Sequence, residues 1–215
     1  MSERIFAQRW AGEDRRLPYC EAGSGETIVA ITGDGGLPTR AHALLAERRR
    51  VLVFAMPADT GSPREAARQI VPAVAALGIE RFDLIGERTG AAAAMWLALA
   101  PEAEIGSVVL AGPDGQPDEA FREIKQPVLV LSGTNDHSNT GGRWRALLPD
   151  CHFMFVYDAG RAIGAERPQA LAFIAREFFE RRDLFLVSRE NGMVFPYPRR
   201  RRKQSRIGRS TSLTS

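Results

Sequence analysis

Cysteine is scarce in this 215-residue chain: Cys20 and Cys151 are the only two, far apart and in no metal-ligand spacing. That excludes a disulfide framework and fits a reducing compartment, so a cytoplasmic location is expected. Long apolar runs are missing too. The longest, Ala91–Ala100, has ten residues, too few to span a bilayer. The N-terminus, MSERIFAQRWAGEDRR, has no apolar core of a secretory signal, and the chain has no internal repeat. Acid is absent from the C-terminal stretch. Arg199–Ser215 carries seven Lys and Arg and no Asp or Glu, so without it the formal charge falls from +3 to −4. The basic character belongs to this tail, and a specific nucleic-acid surface on the remaining domain is not expected.

What is present is the alternation of an α/β domain. Short apolar or β-branched runs at 27–32, 51–56, 82–86, 107–112, 127–133 and 152–158 read as strands. Ala- and Leu-rich amphipathic stretches at 39–49, 62–78, 88–100, near 141–148 and at 168–182 read as helices. Thr39 and Ser62 stand where N-caps belong, Pro63 at a first helical position and Gly78 at a helix end; Pro72 predicts a kink or a break inside its helix. Continuous apolar strands separated by helices predict a mostly parallel central sheet covered on both faces. The expected organisation is one α/β domain over 1–182, a C-terminal extension over 183–198, and a disordered basic tail over 199–215. The apolar extension LFLVSRENGMVFP either straps the domain or pairs with a second copy, so self-association through it is one expectation. The tail adds salt-sensitive attraction to polyanions at most.

Five segments in order resemble the α/β-hydrolase family across residues 17–182: LPYCEAGSGETIVAITGDGG, RRRVLVFAMPADTGSP, LGIERFDLIGERTGAAAAMWLAL, IKQPVLVLSGTND and LLPDCHFMFVYDAGRAIGAERPQALAFIAREFFERR. The resemblance implies a nucleophile elbow at Gly86-Glu87-Arg88-Thr89-Gly90, an oxyanion turn at Gly33-Asp34, a triad acid at Asp136 and a triad histidine at 161. Arginine stands at two of the three triad positions, Arg88 for the nucleophile and Arg161 for the histidine. A guanidinium stays protonated and offers neither attack nor proton abstraction. Thr89, His42, His137 and His152 are candidates for replacement, but none of the histidines falls in the histidine loop. Where the family usually carries a lid, only the fourteen residues Pro113–Gln126 intervene, which predicts an open, cap-less mouth.

These residues imply a scaffold without serine-hydrolase activity, acting as a non-catalytic interaction or small-anion-binding protein. The alternative is an atypical, esterase-like hydrolase with other catalytic residues. Candidate binding residues are Gly33, Asp34, Arg88, Thr89, Asp136 and Arg161. Two guanidinium forks beside a helix N-terminus suit a carboxylate or phosphate. The competing reading is structural: Asp136, Asp34 and Glu87 pair with the arginines and plug the site. No metal and no cofactor is expected, since GDGG lacks the Lys of a phosphate loop and the spacing of a dinucleotide fingerprint.

Overall fold

Thr27–Thr32 is buried at all six positions, as a strand covered on both faces must be. In the computed structural model, which describes residues 5–12, 17–33, 35–57, 59–148 and 151–182, this run is a central strand of an eight-stranded sheet. The strands are β1 (Ala7–Ala11), β2 (Leu17–Ala22), β3 (Thr27–Thr32), β4 (Arg50–Ala55), β5 (Arg81–Glu87), β6 (Glu104–Ala111), β7 (Val128–Gly133) and β8 (His152–Val156). Their spatial order is β1-β2-β4-β3-β5-β6-β7-β8. β1 and β2 join antiparallel at one edge, and all pairings from β4 to β8 are parallel. The mostly parallel α/β architecture expected from the sequence is therefore present. Asp34, the extension 183–198 and the tail 199–215 lie outside the described residues.

The helices are α1 (Arg40–Ala46), α2 (Pro63–Ala76), α3 (Gly90–Ala98), α4 (Thr140–Leu147), α5 (Ile163–Glu166) and α6 (Pro168–Arg181). α2 packs on α3 and α3 lies on β5, while α1 packs on α6. Alternate strand residues such as Val29, Ile31, Leu84, Val108 and Val130 share one core with α2 and α3. Phe121, from a short 3-10 helix over Glu119–Glu123, stacks on fully buried Trp144 at 5.6 Å between ring centroids. Truncating a buried ring of this kind costs about 3–5 kcal/mol.

Several boundaries differ from the sequence reading. α2 runs unbroken through Pro72, where a kink or a break was expected. Pro72 lies on the exposed side, while Ala66, Ala67, Ile70, Ala73 and Val74 are buried. The one backbone bond that proline removes therefore opens to water, and burial of the opposite face holds the helix together. α3 starts at Gly90 rather than at 88, because 88 and 89 form a turn. β1, α5 and the 3-10 helix were not anticipated; they are too short or too polar to leave a periodic signal.

Candidate functional site

The parallel sheet brings the carboxyl ends of β3, β5, β6, β7 and β8 together, and the loops that follow them form the site. At the end of β5 the chain reverses sharply into α3. Arg88, at the apex, has φ +52°, a left-handed conformation that costs an arginine about 1–3 kcal/mol. Glycine on both sides makes the turn possible. A β-carbon on Gly86 would stand 2.7 Å from Ala91 Cα and 2.8 Å from Ala94 Cβ, and one on Gly90 would run into the Ile31 carbonyl. The apex is tied down by backbone bonds: Arg88 N–H donates to the Ala111 carbonyl at 3.1 Å, and the Arg88 carbonyl accepts from Asp114 N–H at 3.2 Å.

Asp114 follows β6 and is the residue that the sequence reading missed. Its Oδ2 lies 3.4 Å from Arg88 Nε, and its Oδ1 accepts a hydrogen bond from Arg161 Nη1 at 3.0 Å. Asp114 is largely buried, with 13% side-chain exposure, against 34% for Arg88 and 50% for Arg161. One carboxylate thus bridges the two arginines that were expected to be neighbours. A signal for it existed: Asp114 is the first acid after the strand that lies beside β5.

Two other expected counter-charges, Asp136 and Glu87, are engaged elsewhere. Asp136 was expected to pair with Arg88 or Arg161; its Oδ1 instead accepts from Ser138 N–H at 3.0 Å, a local turn at the end of β7. Two residues separate donor and acceptor, so the turn satisfies Asp136 more cheaply than a reach across the site. Glu87 was expected to plug the arginines too. Strand alternation sends it to the opposite face of the sheet from Arg88's neighbours Gly86 and Leu84, and it meets His42, with Oε1 2.9 Å from Nε2. His42 is fully buried. Its Nδ1 accepts from Thr39 N–H at 2.9 Å, which places the imidazole hydrogen on Nε2, toward Glu87. The contact is close but off the straight hydrogen-bonding line.

Gly33 abuts Thr89: a β-carbon on Gly33 would collide with Thr89 Oγ1 and lie 3.4 Å from its backbone N. Thr89 itself is exposed. His137 is exposed beside Asp136, and His152 belongs to β8, where its ring meets Phe178 edge-on. The connection from β6 to β7 contains a single short 3-10 helix, which leaves Arg161 half in solvent. Among the described residues, no group of three His, Cys, Asp or Glu is placed to hold a metal ion, and no helix is long and apolar enough to cross a membrane.

Solved structures share this arrangement. An α/β hydrolase enzyme from the metagenome of lagoon sediments at Mar Chica, Morocco, superposes with a TM-score of 0.68 at 19% identity, covering 82% of this chain and 99% of that one. The chain has the α/β-hydrolase fold. A bacterial membrane phospholipase A aligns at TM-score 0.71 and 15% identity over 82% of this chain and 86% of that one. The carboxylesterase CesB from Bacillus subtilis aligns at 0.66 and 14%, over 80% and 91%. No family model and no curated protein matches the sequence. Within the α/β-hydrolase fold, Arg88 occupies the strained apex after β5, and Arg161 the loop after β8.

Proposed function

We propose that this α/β-hydrolase-fold protein works by binding rather than by turnover, with its relic catalytic centre held closed by an Arg88–Asp114–Arg161 bridge. The observation that carries the reading is the shared carboxylate. Two guanidinium groups side by side repel one another, and Asp114 lies within 3.0–3.4 Å of both. Nucleophilic acyl transfer needs a group that can attack and a base that can take its proton, and neither arginine supplies either. Thr89 has a hydroxyl, but it sits one residue past the apex, against Gly33, on the part of the turn where an oxyanion would bind.

The test is labelling of the purified protein with a fluorophosphonate probe, together with hydrolysis of short nitrophenyl esters. No labelling, and ester hydrolysis at the protein-free rate, are expected. Saturable turnover abolished by Thr89→Ala would establish the atypical-hydrolase alternative instead. A second reading, binding of a small carboxylate or phosphate beside the arginines, is favoured by the half exposure of Arg161. Stabilisation of the unmodified protein by millimolar phosphate would support it.

A further inference from the structure

A cavity of small-molecule size lies away from the relic centre. It is a groove of about 610 Å³ between α2 and α3, walled by Ala67, Val71, Pro72, Trp96 and Leu99. Its volume lies within the roughly 300–1,000 Å³ of small-molecule sites. Trp96 also lines a second cavity, of about 350 Å³. The polar groups are few and arranged by sign. Arg64 and Arg68 stand one helical turn apart on the N-terminal half of α2, and Glu102 lies at the far end, after α3. The Arg64 guanidinium lies 4.6 Å from the Trp96 ring centroid. Among the described residues, neither Arg64 nor Arg68 has an acid within ion-pair distance, in contrast to Arg9, Arg49, Arg50 and Arg81, which all do.

We infer that this groove binds an anionic amphiphile: an unbranched carboxylate whose chain lies along Trp96, Val71 and Leu99, and whose head is taken by Arg64 and Arg68. Charge complementarity sets the direction. The two arginines, with no acid within ion-pair distance, attract the carboxylate, while Glu102, after α3, repels it. The cationic head site adjoins the apolar wall, and the acid in the lining, Glu102, follows α3 rather than standing on α2 with the arginines. The inference stands apart from the relic centre, because the groove shares no residue with the Arg88–Asp114–Arg161 bridge.

Dodecanoate titrated into the full chain, below the concentration at which it forms micelles, is the probe. Calorimetry and tryptophan fluorescence read binding, and sedimentation velocity reads oligomeric state. Saturable binding is expected, weakened at least tenfold in Arg64→Gln/Arg68→Gln and in Trp96→Ala, unchanged in Lys125→Gln, and at least tenfold weaker for dodecyltrimethylammonium. The arginine substitutions lie on an exposed helix surface, so they test the site even if Trp96→Ala fails to fold. Absence of saturable binding, equal affinity for the cationic amphiphile, or indifference to the double arginine variant would each overturn the assignment. A dimer that dissociates in the arginine variant would assign the groove to a second copy and overturn it as well.

Discussion

Asp114→Asn separates a structural bridge from an open anion site. The substitution keeps the size of the side chain and the backbone bond to the Arg88 carbonyl, but removes the charge that both guanidinium groups share. Two like charges about 4 Å apart cost on the order of 4 kcal/mol at an effective dielectric near 20. Arg161 is half exposed and Arg88 a third, so solvent screens much of that. A loss of about 1–2 kcal/mol is the discounted expectation, between the value of an exposed pair and that of a broken buried one. For a domain of this size that lowers Tm by roughly 2–8 °C. The assay is thermal melting of both proteins at matched ionic strength, with and without millimolar phosphate. The variant should regain stability with phosphate, because an anion can enter where the carboxylate charge was, and saturation to 100 Kd is worth about 2.7 kcal/mol. The unmodified protein should respond little. Asp136→Asn should cost about 1 kcal/mol or less, since only a local turn bond depends on it. Equal melting of Asp114→Asn and the unmodified protein would refute the bridge, and an equal phosphate response in both would refute the closed site.

Other expectations follow from single contacts. His42→Leu should destabilise by about 1–3 kcal/mol in chemical denaturation, because it takes the imidazole N–H away from the buried Glu87 side chain, whereas Glu87→Gln should cost less; the reverse order would show that the pair is not a unit. Gly90→Ala drives a methyl group into the Ile31 carbonyl and should cost 3 kcal/mol or more, on the order of an overpacked core; recovery of soluble protein with unchanged Tm would contradict the packing described. Burial pushes the Cys20 thiol up, so its reactive thiolate is depleted at neutral pH and grows only as pH rises past the ordinary thiol range. Iodoacetamide at pH 7.5 should therefore modify Cys20 more slowly than a free thiol such as glutathione, with peptide mass spectrometry as the readout, and faster labelling would count against it.

Much of the fold was legible in the sequence because it rests on local rules. Strands buried on both faces must be largely apolar, as Thr27–Thr32 and Val128–Gly133 are, and a proline at the first turn or a glycine after the last marks a helix end, as Pro63 and Gly78 do. The glycine frame around Arg88 was equally readable, since only glycine at 86 and 90 lets α3 approach β5 and β3. That arginine stands at 88 and 161, where the resemblance implies a nucleophile and a histidine, was read from identity alone. Which acid answers those arginines was not. Asp34, Glu87, Asp114 and Asp136 all stand near strand ends in the sequence, and nothing local distinguishes them. The choice depends on direction. Alternation along β5 turns Glu87 toward His42, the turn after β7 satisfies Asp136 with Ser138, and the order of β5 beside β6 sets Asp114 against Arg88. The groove of Trp96, Arg64 and Arg68 is likewise tertiary: periodicity places Arg64 and Arg68 on one face of α2, but only the packing of α2 on α3 brings that face to Trp96, because contact between two helices is fixed by their crossing and not by either sequence alone.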